Sequence, residues 1–322
     1  YEGYYNQSHY IYKCDQNNEC NKESVSFNDI RLGIGQRLLD KISSEPIIFF
    51  RKSNSFKENN KSDIFSLKSI ALENNTNIYL TDDVFLSVDE EERIIKIATN
   101  SEKNAVLFTG DSLNNWNIEY TSKINKDDLS KTSPGISVLG LTGCLNFHDI
   151  KLINVRINSE NSTCEDGIHL LRANGTIAEI NVNNALSDAI DFDFSTVTVD
   201  RIIVNNSVND CIDLSSGNYL INNINVTGCG DKGISLGEDG YAKLIYANIH
   251  DSEIGVASKD SSKMEIDYAK INVFDYCATL YRKKQEYNGA NMSIKEISCD
   301  LDTYFVQEGS ELIIQKKLVV NK

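Results

Sequence analysis

Four segments decide the fold: Asp166-Gly-Ile-His-Leu170, Asp188-Ala-Ile-Asp-Phe192, Asp210-Cys-Ile-Asp-Leu214 and Lys232-Gly-Ile-Ser-Leu236. Each begins 22 residues after the one before it, and a small residue, an isoleucine and a large apolar residue recur at the same positions. A fixed period of this size predicts a solenoid, because each repeat buries its apolar face against its neighbours. The small residues continue at the same interval along a longer column: Gly167, Ala189, Cys211, Gly233, Gly255, Cys277 and Cys299.

Apolar and polar residues alternate within each repeat, which is typical of β-strands with one buried face. One apolar block contains the column Ile168, Ile190, Ile212 and Ile234. A second block recurs as Ile180/Val182, Ile202/Val204 and Ile224/Val226, and after the insertion Gly237-Glu-Asp-Gly240 it resumes three residues late at Ile249. The sequence therefore predicts an all-β chain with one parallel β-helix over residues 91–322, right-handed by the chirality rule for parallel connections.

Residues 1–90 are less regular, and we expect them to form an N-terminal cap and the first, irregular turns. The segment Asn28–Ser44 has the apolar spacing of a short amphipathic helix, which would cover open strand edges at this end of the coil. The polar stretch Lys123–Ser133 is expected to leave the coil, and Leu312–Val320 to close its other end. Strand-like stretches are expected at Ile78–Leu80, Ile94–Ala98, Val106–Thr109 and Trp116–Tyr120.

The composition argues against two classes of interaction. A net charge of −15 opposes binding to nucleic acid, because phosphate backbones require lysine and arginine. No run reaches the roughly 18–20 apolar residues that a membrane helix needs, so no membrane span is predicted. Two prolines in 322 residues suit long strand ladders, because proline cannot donate a backbone hydrogen bond.

The chain has eight cysteines, and several are separated by about one repeat. Neighbouring strands of a stacked sheet lie about 5 Å apart, which is within the range of a disulfide. The alternative is a set of buried free thiols, since cysteine also packs as a small apolar residue. Disulfides would indicate an oxidising compartment, and hence a secreted, periplasmic or cell-surface protein. The predicted pairs are Cys14–Cys20, Cys144–Cys164, Cys211–Cys229 and Cys277–Cys299.

Five aspartates converge on one face of the predicted coil, and we call them the acidic strip: Asp188, Asp191, Asp193, Asp210 and Asp213. If Ile190 and Phe192 point inward, the residues that alternate with them point outward. One repeat then places Asp213 one turn above Asp191, and His169 one turn below it. Carboxylates stacked about 5 Å apart repel each other, which raises the pKa of at least one of them unless a cation compensates.

Three explanations of the acidic strip stay open. Paired carboxylates suit glycoside hydrolysis, with one as acid and the other as base or nucleophile. An oxygen-rich cluster can also hold Ca²⁺, although no ligand set with fixed spacing is recognisable and no other cofactor is indicated. Finally, the aspartates can serve structure alone, by accepting hydrogen bonds from turn amides and facing nearby lysines.

Cations and aromatic residues follow the acidic strip along the axis of the coil. Counting in repeats places Lys259 one turn beyond Gly237, and Tyr281 one turn beyond Lys259. This face therefore changes from acidic to basic, which suits a groove for an anionic sugar or, alternatively, charge balance on a solvated surface. The candidate substrate-binding residues are His169, Lys232, Glu238, Lys259, Tyr281 and Arg282.

The same region resembles the active-site strip of polygalacturonase-type pectin hydrolases, which carry Asn-Thr-Asp, Asp-Asp, Gly-His-Gly and Arg-x-Lys in this order on a right-handed β-helix. The resemblance implies that Asp188 and Asp210 are two of the three catalytic acids of that family. The chain departs from the family at the third acid, which is Asn209, and at the histidine, which is Lys232. The segments that carry the resemblance are Ser187–Asp191, Asn209–Gly217 and Cys229–Gly237.

A second resemblance covers roughly residues 143–287. The phrases Ser187–Phe194, Asp231–Glu238 and Ala257–Asp260 are similar to those of little-characterised bacterial right-handed β-helix repeat proteins, some of which are joined to spore-coat-kinase-like modules. This resemblance implies the fold and no established reaction, so function has to be argued from the site.

The sequence therefore leads to two hypotheses of different classes. In the first, the chain is a secreted or cell-surface β-helix that binds a polysaccharide, and cleaves or epimerises it through the acidic strip. In the second, it is a non-enzymatic adhesion or structural solenoid whose charged ladders stabilise the coil. The sequence does not specify the oligomeric state.

Overall fold

Parallel strands dominate the computed structural model of the chain, which describes residues 9–14, 20–25, 68–123 and 140–319. No helix is found among these residues, and their strands form a parallel β-solenoid of about nine turns with a spacing of roughly 22 residues. The strands, in chain order, are β1 His9–Cys14, β2 Cys20–Val25, β3 Lys68–Ala71, β4 Asn77–Leu80, β5 Val84–Asp89, β6 Ile94–Thr99, β7 Val106–Thr109, β8 Ser112–Asn114, β9 Asn117–Ser122, β10 Gly143–His148, β11 Lys151–Ser162, β12 Asp166–Leu171, β13 Asn174–Ala185, β14 Asp188–Asp193, β15 Thr196–Ser207, β16 Ile212–Ser215, β17 Asn218–Gly237, β18 Tyr241–Lys259, β19 Lys263–Tyr281, β20 Asn291–Cys299, β21 Tyr304–Val306, β22 Glu311–Ile314 and β23 Lys317–Val319.

The chain divides into two compact units. The smaller unit contains an antiparallel hairpin of β1 and β2, in which Cys14 lies opposite Cys20 in the backbone register. The disulfide predicted for this pair concerns side chains outside the described part of the chain, so it stays a prediction. The helix predicted for Asn28–Ser44 and the excursion that follows Lys123 also lie outside the described residues.

The larger unit contains the solenoid, and its core is built as the repeat predicts. Strands β12, β14, β16 and the end of β17 pair in parallel, with Ile168 opposite Ile190 and Ile212 opposite Ile234. All the isoleucines of this column are fully buried. An apolar column of this kind stabilises the coil, because every turn shields the turns above and below it from water.

A second ladder runs through β11, β13 and β15 and the first halves of β17, β18 and β19. The sequence prediction that its apolar block resumes three residues late is wrong. Ala247 lies opposite Ile224, and Ile249 lies opposite Val226, so the block resumes only one residue late. Alanine stands at a position that isoleucine occupies in earlier turns, so the apolar pattern alone does not reveal the register here.

The outermost turns depart from parallel pairing. Strands β3, β4 and β7 pair antiparallel, as do β5 and β6, while the hairpin of β22 and β23 ends the ladder at the other side. The four strand-like stretches predicted between residues 78 and 120 correspond to β4, β6, β7 and β9. Hairpins at the last turns leave fewer unpaired backbone groups exposed along an open sheet edge.

Three of the predicted disulfides are present, with Cα–Cα distances of 5.3 Å for Cys144–Cys164 and Cys211–Cys229, and 6.2 Å for the third pair, Cys277–Cys299. They indicate an oxidising environment.

The assignment of Cys299 to the column of small residues is wrong, because this cysteine lies opposite Ile271 in the second ladder. The chain makes a wider excursion there, and Tyr304 instead continues the column of Ala278.

Among the described residues, no helix is long and apolar enough to span a membrane.

Candidate functional site

The acidic strip lies on the outer face of the ladder formed by β12, β14, β16 and the last part of β17. Its central column places His169 opposite Asp191, Asp191 opposite Asp213, and Asp213 opposite Ser235. The stacking predicted from the repeat is therefore present, because Ile190 and Phe192 point into the core and leave the alternate residues outside. Asp193 lies two residues further along strand β14, in the neighbouring column, where it is opposite Leu171.

Asp188 and Asp210 connect successive turns at the start of these strands. Oδ1 of Asp188 accepts hydrogen bonds from the side-chain amide of Asn209 at 2.7 Å and from the backbone N–H of Asp210 at 2.8 Å. Oδ1 of Asp210 in turn accepts the backbone N–H of Lys232 at 3.1 Å and faces its Nζ at 3.3 Å. These two aspartates thus have the structural contacts expected of acids that cap turn amides.

The same two carboxyl groups titrate close to neutrality. Burial raises the pKa of Asp188 to about 6, against the hydrogen bond from the Asp210 amide. Burial raises the pKa of Asp210 to about 7, although the Lys232 ammonium lowers it. Groups in this range can exchange protons at physiological pH, which is the property that general acids and bases need.

Four other aspartates affect the ionisation of Asp191. Burial raises its pKa well above the ordinary value, and the charges of Asp166, Asp193, Asp213 and Asp188 raise it further, in that order. Asp166, which sequence reasoning passed over, begins the same column as Asp188, and burial raises its pKa to about 7. Its repeat position was the available signal.

His169 lies at the acidic end of the site and is 7% exposed. Its Nε2 lies 3.5 Å from Oδ2 of Asp193, and its Nδ1 lies 3.3 Å from Nε2 of His148. Burial lowers the pKa of His148 to about 3, so this second imidazole is neutral. Sequence reasoning missed His148, since it lies opposite Leu171 and reaches His169 diagonally between turns.

One nitrogen of His169 and one carboxylate oxygen each from Asp191 and Asp193 lie within 4.8 Å of one another. This convergence joins the residues predicted for substrate binding and catalysis in one group. An imidazole and two carboxylates are also a donor set that metal ions use in proteins.

The basic end of the face contains the predicted cations. Nζ of Lys259 lies 3.5 Å from Oδ1 of Asp213, although Lys259 stands two turns away along the coil, and its side chain is largely buried. Tyr281 stacks opposite Lys259 in the register, as predicted. These contacts bring the acidic and basic parts of the face together.

The other two predicted binding residues lie at the edge of this group. Glu238 forms an ion pair with Lys284. Arg282 is exposed, and its backbone N–H donates to Oε1 of Gln307 at 2.7 Å. The structure therefore brings Asp213, Lys259 and the central aspartates together but gives Glu238 and Arg282 other partners.

Replacing Asp191 tests how much its burial and the neighbouring carboxylates cost the folded protein. Because the pKa of Asp191 is raised on folding, the native protein keeps this proton at pH values where the unfolded chain has lost it. Its contribution to the free energy of unfolding is therefore fully present below about pH 4 and falls as the pH rises. We expect Asp191→Asn to raise the urea midpoint near pH 7.5, with EDTA present, and to match the parent chain only below about pH 4. A variant less stable than the parent near neutrality would show that Asp191 is already compensated.

Comparisons of this chain with protein-family models, with curated proteins and with solved structures found no match, so both family resemblances remain predictions that rest on the motifs alone.

Proposed function

We propose that this chain is an extracellular β-solenoid that binds an acidic or neutral polysaccharide and cleaves it by acid–base chemistry. Asp188 and Asp213 are the proposed catalytic pair. The observation that carries this assignment is the contrast between their surroundings on one face of the ladder. Burial raises the pKa of Asp188 to about 6, whereas Oδ1 of Asp213 lies 3.5 Å from Nζ of Lys259.

This contrast matches what glycoside hydrolysis requires of two carboxyl groups. That reaction needs one carboxyl group that gives a proton and a second that accepts one or attacks the sugar. The amides that hydrogen-bond Oδ1 of Asp188 leave its proton on Oδ2, from which it can pass to the glycosidic oxygen. Asp213, whose Oδ1 lies 3.5 Å from Nζ of Lys259, is the group proposed to accept a proton from water or to attack the sugar carbon.

Asp188 and Asp213 lie close enough for the charge of Asp213 to raise the pKa of Asp188. Two carboxyl groups that act on one bond have to be neighbours. Lys232 and Lys259 would then face the carboxylate or hydroxyl groups of the sugar, and Tyr281 offers a ring beside Lys259 on which a sugar can stack.

A structural role is the second candidate function, and a separate observation favours it. Asp188 and Asp210 each accept the backbone amide that lies one turn further on, and three disulfides join neighbouring parts of the coil. A surface scaffold needs these features and no catalyst. The two proposals make different predictions about turnover, whereas both require a stable coil.

The experiment that separates them is a screen of the purified protein against an array of polysaccharides, with detection of new reducing ends or unsaturated products. Enzyme function predicts product from at least one polysaccharide, and loss of that product in Asp188→Asn. Binding without any product would support an adhesion role. A chain that neither binds nor cleaves any polysaccharide of the array would contradict the proposed function.

A further inference from the structure

Three side chains of types that bind metal ions converge at the acidic end of the face, and none of them belongs to the proposed catalytic pair. Ligand atoms of His169, Asp191 and Asp193 all lie within 4.8 Å of one another. The two aspartates are consecutive outward residues of strand β14, and the histidine is one turn below on β12. Strand alternation and stacking thus hold all three donors on rigid elements rather than on a loop.

An independent observation points to a ligand here. The His169 side chain is more than nine-tenths buried, and its Nε2 has no hydrogen-bonding partner within the part of the chain that the structure describes. This nitrogen points toward Asp193, whose Oδ2 is 3.5 Å away. A buried polar atom without a hydrogen bond is costly, and such atoms are usually satisfied by water or by an ion.

The surroundings of His169 prepare this nitrogen for coordination. When Nδ1–H of His169 donates to Nε2 of His148, 3.3 Å away, the lone pair of Nε2 faces the two carboxylates. A metal-bound histidine commonly donates its other ring N–H to such an outer partner, which fixes the tautomer and the ring orientation. His148 is therefore assigned as a positioning residue.

We propose that His169, Asp191 and Asp193 bind one divalent transition-metal ion, with Zn²⁺ as the expected type. The imidazole disfavours Ca²⁺ and Mg²⁺, which take oxygen ligands, whereas nitrogen and carboxylate donors together suit Zn²⁺ and its first-row neighbours. Ligands about 2.0–2.2 Å from a tetrahedral ion stand roughly 3.4 Å apart. Nε2 of His169 and Oδ2 of Asp193, 3.5 Å apart, already match this spacing.

A cation at this position would relieve the repulsion among the acids of the strip. Two positive charges between Asp191 and Asp193 offset the negative charges that converge on Asp191. Three protein ligands also leave a coordination position open for water or for a substrate oxygen. The side chain of Asp193 is 31% exposed, so this open position has access to solvent. The metal site does not depend on the proposed function.

The test is metal binding by the full chain after dialysis against EDTA. We expect one Zn²⁺ per chain by isothermal titration calorimetry, visible absorption bands on addition of Co²⁺, and a higher melting temperature when Zn²⁺ is added. His169→Ala and Asp193→Asn should each abolish this site. His148→Ala should weaken Zn²⁺ binding about 10–100-fold and leave the stoichiometry unchanged.

His250→Ala is the matched control, because His250 also faces a carboxylate, at 3.3 Å from Asp251, but is 52% exposed. It should bind Zn²⁺ as the parent chain does. Circular dichroism establishes that each variant folds, and Asp193→Asn keeps the test informative if His169→Ala does not fold. The proposal is overturned if the parent chain binds no Zn²⁺ or Co²⁺, if it binds only Ca²⁺, or if folded ligand variants bind Zn²⁺ as well as the parent. Metal binding without polysaccharide cleavage would contradict only the proposed function.

Discussion

Asp213→Asn is expected to lower turnover of the cleaved polysaccharide by about 10²–10⁴. Asparagine keeps the size of the side chain but can neither hold the negative charge nor accept a proton. Substrate binding should change much less, because Lys232 and Tyr281 remain in place. The measurement is kcat and KM on the polysaccharide identified by the array.

Two controls separate lost chemistry from lost folding in this variant. The substitution leaves the ammonium of Lys259, whose side chain is 9% exposed, without its carboxylate neighbour, so the melting temperature has to be measured on the same sample. Asp251→Asn removes an aspartate that is 53% exposed and distant in register from the strip, and it should keep full turnover. Undiminished turnover in folded Asp213→Asn would reject Asp213 as a catalytic residue.

Phe192→Ala is expected to lower the free energy of unfolding by about 3–5 kcal/mol. Phe192 is fully buried, is in register with Leu170 and Leu214 in the neighbouring turns, and its ring centroid is 6.1 Å from that of Tyr219. Hydrogen-bonded strands on both sides prevent the coil from collapsing into the cavity, so most of the lost contact is not recovered. Urea denaturation followed by circular dichroism measures the change.

The matched control for this prediction is Phe274→Ala. Phe274 is also an aromatic residue of a solenoid strand, but it is 72% exposed. Its removal is expected to change the free energy of unfolding by no more than about 0.5 kcal/mol. Equal losses in the two variants would mean that the inner column does not carry the stability of the coil.

The interval of 22 residues predicts most of the fold, because it fixes which side chains become neighbours. It places Asp191 opposite Asp213 and Lys259 opposite Tyr281, and it brings the pairs Cys144–Cys164 and Cys211–Cys229 within reach. A strand register needs only the spacing of residues and their alternation, and both can be counted in a sequence.

The contacts of individual polar side chains could not be predicted in the same way. Whether Asp188 caps the next amide depends on the path of the backbone at the turn, which the repeat does not specify. His148 reaches His169 across a diagonal, and counting in whole repeats never compares two such positions. Lys259 bends back over two turns to Asp213, a reach that follows from the length of its side chain rather than from its column.

The single extra residue near Gly237–Gly240 has a consequence for how this protein can be altered. Pairing between β17 and β18 runs at an offset of 23 up to Cys229 with Ser252, and returns to 22 at Lys232 with Ile254. One turn thus tolerates a longer connection, and the irregularity beyond Cys229 cancels it before the ladder of the acidic strip begins again. Loop grafts or binding peptides inserted at this corner should therefore leave the strand register of the acidic-strip ladder unchanged, which makes the corner a suitable place for engineering.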